Sequence, residues 1–252
     1  MAISIDLSGK VAIVTGGGRG IGRAIALSMA DAGADVAVVA RTLSQVEETR
    51  DLVLSKGRKS MAFSIDVTNK QSVLDMVEET VKQLGGVHIL INNAGITRPA
   101  PLLEYSEENW DTVMDINVKG IFLCTQAVGK YMVEQKYGKI VNIASTGGEM
   151  AGPGNAVYHA SKAADILFTK SVALEWIRHN INVNAIGPGF TKTELLENFR
   201  NEDALKAALK QIPIRRFAEA EEIASVAVFL VSDLASYMVG EHVIVDGGLI
   251  ST

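Results

Sequence analysis

Seven short runs rich in β-branched residues mark the chain, at 11–15, 36–40, 61–65, 89–92, 139–143, 181–186 and 242–245. Most are apolar almost throughout and are bounded by Gly, Asn or Asp, as strands covered on both faces are. Apolar residues at helical spacing fill the intervals. Ile21, Ile25, Met29 and Ala32 share one face of a helix over 21–32, and 44–55, 72–84, 109–135, 156–177 and 221–231 read the same way. This alternation predicts an α/β fold. Its form is one doubly wound parallel sheet of about seven strands, with right-handed crossovers and helices on both faces.

No Pro/Ser-rich linker, charge block or low-complexity tract divides residues 1–252, so a single domain is expected. Only 187–217 lacks clean alternation, mixing turn residues with a charged helical stretch at 202–211. The segment 188–217 is expected to be a lid or wall over a substrate, although an ordinary surface insertion has the same appearance.

Composition narrows the partners. Lys and Arg number 24 against 29 Asp and Glu, a net charge of −5 with no basic run, which argues against nucleic acid or an anionic membrane surface. No window reaches the ~18 uninterrupted apolar residues of a membrane span, and no basic start precedes an apolar stretch as in a signal peptide. Cys124 is the only cysteine, so no internal disulfide can form. A soluble protein of the reducing cytoplasm is expected. The four histidines show no metal-ligand spacing, and no metal site is expected.

After the first strand comes Thr15-Gly16-Gly17-Gly18-Arg19-Gly20-Ile21-Gly22, leading straight into a helix. The G-x-G-x-x-G spacing is not met, and no Lys-Ser/Thr follows as in a Walker loop. The context of strand, tight glycine turn and helix N-terminus still makes a phosphate-binding device. Glycines let the backbone approach a pyrophosphate, and the helix's unpaired N–H groups favour its charge.

The spacing Gly16-x-x-x-Gly20-x-Gly22 after a strand-ending Thr resembles the short-chain dehydrogenase/reductase family, and further motifs follow in that family's order. Asn92-Asn93-Ala94-Gly95 follows the fourth strand, Asn117 lies in a helix, Ser145 ends the fifth strand, Tyr158 and Lys162 come next, and Pro188-Gly189 follows the sixth. The resemblance covers about 7–248. It implies a Rossmann fold binding a nicotinamide dinucleotide through Gly16, Arg19, Gly20, Ile21, Gly22, Asn93, Ala94 and Gly95. It also implies that Asp66 and the neighbouring Val67 meet the adenine, and that Pro188, Gly189 and Thr191 close over the nicotinamide. Without the resemblance, Asp66 reads simply as part of a helix N-cap region.

Charge selects the dinucleotide. NAD-binding units place an acid ~20 residues beyond the glycines. Here the second strand ends in Ala40-Arg41-Thr42, and Asp35 stands at the wrong end. Arg41 suits the 2′-phosphate of NADP, and the resemblance directs Arg19 to the same region; forked, weakly hydrated guanidiniums match that group. NADP(H) is expected in preference to NAD(H).

Tyr158 and Lys162, four apart on a helix, share a face. Reduction of a ketone leaves charge on oxygen, so an acid must protonate it. A free phenol, with pKa ~10, is too weak at neutral pH unless an ammonium stabilises the phenolate. Ser145 can hold the carbonyl oxygen by a hydrogen bond. The resemblance adds that Lys162 also holds the nicotinamide ribose and that Asn117 carries a water linking Lys162 to solvent. Ser145 lacks the glycine and histidine context of a hydrolase nucleophile. His159 falls on another face and reads as structural, and Cys124 reads as a small buried hydrophobe.

The expected substrate is a small carbonyl or alcohol compound. Gly95-Ile96-Thr97-Arg98 and 175–182 look like the family's gluconate- and deoxygluconate-type dehydrogenases; the first stretch with 218–248 also looks like its 3-oxoacyl-carrier-protein reductases. A sugar acid, polyol or generic ketone is favoured slightly. Arg98 and Lys192 are candidate partners for a carboxylate or ordinary surface charges, and Glu149 would repel an anion if it faced inward. A non-catalytic, dinucleotide-sensing regulator is the remote alternative. The helices at 109–135 and 156–177 resemble those pairing across the family's tetramers, so a homotetramer is expected.

Overall fold

The computed structural model describes residues 4–193 and 202–251. Seven strands, β1 (Val11–Thr15), β2 (Asp35–Ala40), β3 (Ser60–Ser64), β4 (Ile89–Asn92), β5 (Gly138–Ile143), β6 (Ile181–Pro188) and β7 (His242–Val245), form one sheet. The order is β3-β2-β1-β4-β5-β6-β7, with every pairing parallel. Helices α1 (Gly20–Asp31), α2 (Leu43–Ser55), α3 (Lys70–Leu84), α4 (Glu107–Met114), α5 (Gly120–Gln135), α6 (Ala156–Trp176), α7 (Glu202–Gln211) and α8 (Ala220–Val231) complete the fold.

Both sheet faces are dry, which explains the continuous apolar strands. Ala12, Val14, Val36, Val38, Ile89 and Ile91 pack with Ile25 and Met29 of α1 and with Ile223 and Ala227 of α8. The alternate residues Ile13, Ala37, Val39 and Leu90 pack with Met76 of α3 and with Val128 and Met132 of α5. Burying a Val or Leu side chain is worth ~1.5–3 kcal/mol. A one-residue slip of any inner strand would exchange its two packing surfaces.

Some boundaries move by a residue or two from the sequence reading. Asp35 opens β2, β3 begins at Ser60, and β6 runs on to Pro188 because it pairs with β7 as far as Val245. The helix expected at 109–135 is a correction of another kind. It starts at Glu107 and is divided at Asp115–Lys119, where one π-helical turn separates α4 from α5. Helical periodicity persists through such a turn, so the apolar pattern does not betray it.

The excursion after β6 leaves and returns through a parallel bridge between Thr191 and Ala218. Ala208, Ile212 and Phe217 build a small core of their own with Leu249 and Phe190. Of the expected lid, 194–201 lie outside the described residues.

Candidate active site

The sheet's winding reverses between β1 and β4, and a cleft of about 790 Å³ opens beyond the carboxyl ends of the strands there. Gly16, Arg19, Gly20, Ile21, Arg41, Thr42, Asp66, Val67, Asn93, Ala94 and Gly95 all line it, as do Arg98 and Lys192. Gly22, Asn117, Ser145, Tyr158, Lys162, Pro188, Gly189 and Thr191 are not among its lining residues, although Lys162 and Asn117 stand directly behind Gly95. Gly22 serves packing, since a Cβ there would sit 2.2 Å from the Gly16 carbonyl oxygen. Gly189 donates its N–H to Val245 O, and the Thr191 hydroxyl donates to Gly189 O, which anchors the chain beyond β6.

The first turn needs glycine for two reasons. Gly16 and Gly20 have φ of 64° and 51°, the left-handed region. At Gly16 an added Cβ would also lie 2.6 Å from Asn93 Nδ2. The first turn of α1 carries no acidic residue and no side-chain cap, so its N–H groups and positive dipole end face the cleft unneutralised. Such a helix end can hold a pyrophosphate.

Thr15 and Asn93 fasten the cleft floor. The Thr15 hydroxyl donates to Ile91 O and accepts from the N–H groups of Asn93 and Ala94, at 3.0 and 3.1 Å. The Asn93 amide donates to Thr15 O and Gly16 O. Arg23 fixes the turn from outside, with Nη2 2.6 Å from Gly18 O and 2.7 Å from Glu48. Sequence reasoning did not single out Thr15 or Arg23 as supports, because their partners are backbone atoms that only the folded turn supplies.

At the tip of β2, Arg41 is exposed beside the cleft, its carbonyl held by the Ser64 hydroxyl. Asp35 lies at the opposite end of β2, paired with Arg58 at 2.9 Å, far from any ribose in the cleft. Asp66 accepts from the N–H and hydroxyl of Thr68, while the cap of α3 is Asn69, which accepts from Ser72 N. Asp66 is therefore a cleft residue that stabilises its own turn, not the helix cap.

α6 carries Tyr158 and Lys162. Lys162 is buried; its ammonium donates to Ile143 O at 2.8 Å and to Asp165 Oδ2 at 3.0 Å, and lies 6.0 Å from the Tyr158 ring centroid. A Cβ added at Gly95 would be 3.6 Å from Lys162 Nζ and 3.4 Å from Asn117 Oδ1, which brings the ammonium to the cleft wall. Burial pulls the Lys162 ammonium down, but the charges of Asp165 and then Tyr158 outweigh it and leave it above its ordinary value. Among the described residues the Tyr158 hydroxyl has no hydrogen-bond partner, and it is half-buried.

Ser145 accepts from Gly147 N at 3.0 Å and opens the turn at Thr146–Gly148. His159 Nδ1 lies 2.7 Å from Gly147 O, tying this turn to α6 beside Tyr158. Asn117 sits in the π-turn, fully buried. Its amide accepts from Ile96 N at 2.8 Å and donates to Ile96 O and to the Ser161 hydroxyl, with no direct bond to Lys162 among the described residues. Glu149 pairs with His242 Nδ1 at 2.7 Å, and Lys192 pairs with Glu219. Asp165, absent from the sequence reading, is the group the structure adds; its signal was an acid three places after Lys162 in an apolar helix.

A family model described as enoyl-(acyl carrier protein) reductase matches residues 16–250. A 3-oxoacyl-(acyl-carrier-protein) reductase of Staphylococcus epidermidis is 42% identical over 241 residues, 95% of this chain and 98% of its own length. A gluconate 5-dehydrogenase from Burkholderia cenocepacia J2315, solved in complex with NADP and tartrate, is 34% identical, with 98% of each chain covered and a TM-score of 0.94. An NAD+-bound xylitol dehydrogenase is 33% identical, with 96% of this chain and 99% of the other covered and a TM-score of 0.91. With its parallel sheet, its glycine cradle and relatives along nearly its full length, the chain belongs to the short-chain dehydrogenase/reductase family of oxidoreductases.

Proposed function

We propose that this enzyme uses NADP(H) to interconvert a ketone and a secondary alcohol on a sugar acid, polyol or similar small molecule. In this reading Tyr158 is the general acid and base. The observation that carries it is the placement of the buried Lys162 ammonium, 6.0 Å from the Tyr158 ring and against the cleft wall at Gly95. A bound nicotinamide dinucleotide supplies or accepts the hydride. The protein's residues do the rest. The uncapped N-terminus of α1, with Gly16, Gly20, Ile21 and the close packing at Gly22, holds the pyrophosphate. Arg41 with Thr42, and Arg19, take the 2′-phosphate. Asp66 and Val67 face the adenine, and Asn93, Ala94 and Gly95 form the floor. The resemblance supports Pro188, Gly189 and Thr191 beside the nicotinamide and a water between Asn117 and Lys162.

During reduction Tyr158 gives its proton to the oxygen that becomes the hydroxyl, and Ser145 donates to the same oxygen. Lys162 stabilises the phenolate left behind. The set run backward oxidises the alcohol. One relative carries NADP and another NAD+, so the arginines at the rim, not the fold, support NADP(H). We place the enzyme in the cytoplasm as a homotetramer, with the 188–217 excursion as a substrate wall of the single domain.

A second reading, 3-oxoacyl-carrier-protein reductase, is favoured by the 42% identity to such an enzyme. NADPH consumption in matched assays with an acetoacetyl thioester and a keto-sugar acid separates the two. Preference for the sugar acid supports the first reading and directs mutation to Arg98. Preference for the thioester establishes the second and makes exposed Lys136 and Arg178 the docking candidates. On either substrate, Tyr158→Phe should bind NADPH normally and lose turnover by at least ~10²-fold; unchanged turnover overturns the role of Tyr158.

A further inference from the structure

Tyr158, Lys162, Asp165 and Thr169 follow one another at helical spacing down the inner face of α6. The side chains of Lys162 and Asp165 are 5% and 1% exposed, and they meet at 3.0 Å. An ammonium has three protons. Ile143 O and Asp165 Oδ2 take two of them, and Gly95, which lines the cleft, stands beside the ammonium. The second oxygen of Asp165 is fully buried and has no hydrogen-bond partner among the described residues. A buried ion pair with an unsatisfied oxygen is a poor device for stability, because apolar residues of equal volume do as well or better. Its use here is better sought in what it does to Lys162.

We propose that Asp165 is a positioning residue for the Tyr158–Lys162 pair, keeping the buried Lys162 charged and aimed at the cleft. This rests on the reading of Tyr158 as general acid and base. Without the carboxylate, the ammonium would keep a single carbonyl partner in a buried site, and a cation stripped of its counter-charge there loses its proton readily. Among the described residues no other ionisable side chain pairs with either group. Asn117 of the π-turn and Asn142 of β5 are neutral; Asp115 and Lys119 pair with each other at the surface; Glu149 is held by His242. Glu107, Glu108 and Asp111 of α4 are exposed, and solvent screens them. Burial pushes the Asp165 carboxyl up to about 6 against the pull of Lys162, so its hold slackens as pH falls through that value.

The test reads the phenol directly and needs no substrate. Tyrosinate absorbance is titrated in the whole protein and in Asp165→Asn, each with its Tyr158→Phe counterpart subtracted to isolate Tyr158. Melting curves confirm that each variant is folded. Asp165→Asn should move the Tyr158 midpoint upward by roughly one pH unit, because its cation is lost before the phenol ionises. An unchanged midpoint overturns the proposal and leaves Asp165 a mere counter-charge. A lowered midpoint also overturns it, since Asp165 would then oppose the cation. Asp165→Ser, with room for a water beside Lys162, repeats the measurement if the amide variant does not fold. The Tyr158→Phe turnover assay judges the acid–base reading separately.

Discussion

Arg41 is the side chain on which the proposed preference for NADP(H) rests. Its main chain is fixed by the Ser64 hydroxyl at 2.9 Å, so the exposed guanidinium stands at the cleft rim with no acid at the strand tip to neutralise it. A charge-assisted hydrogen bond to a phosphate is worth ~1.5–3 kcal/mol, roughly ten- to a hundredfold in affinity. Arg41→Ala should therefore weaken NADPH by that factor and leave NADH nearly unchanged in a titration of nicotinamide fluorescence. Equal loss of both cofactors would show that Arg41 does not read the 2′-phosphate. At this scale the sequence was legible where spacing maps onto one face, as for Tyr158 and Lys162, or where an expected charge is missing, as at Arg41. It was silent about Asp165 because an acid on a helix normally reads as solvated; only the packing of α6 against the sheet buries it. It was equally silent about the partners of Asn117, which lie 21 and 44 residues away.

Among the elements, the junction of β1 and α1 is packed too closely for any side chain at Gly22. A methyl group at Gly22 would lie 2.2 Å from the Gly16 carbonyl and 2.4 Å from Asn93 Nδ2. No side-chain rotation relieves a clash with backbone, so the helix must move away from the turn. Gly22→Ala should cost about 1–3 kcal/mol, seen as a lower urea midpoint, and should weaken NADPH binding as the turn shifts. The strands were readable because burial on both faces writes itself as unbroken apolar runs. The division of 109–135 was not, since one wide turn changes which residue faces inward without disturbing the surrounding apolar spacing. That turn is what brings Asn117 to Ile96 and Ser161, and Gly120 just after it packs against Val67.

For the whole molecule, large apolar side chains remain in water on the outer surface of α5 and α6. Leu167 and Leu174 are 66% and 76% exposed, and Phe122 is exposed as well. Such faces are costly on a monomer and suit burial against further copies of the chain. Light scattering should give the mass of four protomers, and a mass of one, 26.9 kDa, would overturn the tetramer. The hydrogen bonds of Thr15 and Asn93 bear on how such an enzyme turns over. They stitch together the two strands between which the cleft opens, where a nutcracker would have its pivot. Widening the gap from below would break several of them at once, so traffic of a dinucleotide must pass over the rim. Entry and exit then fall to the top of the cleft, while the bottom of the jaw keeps one fixed gauge.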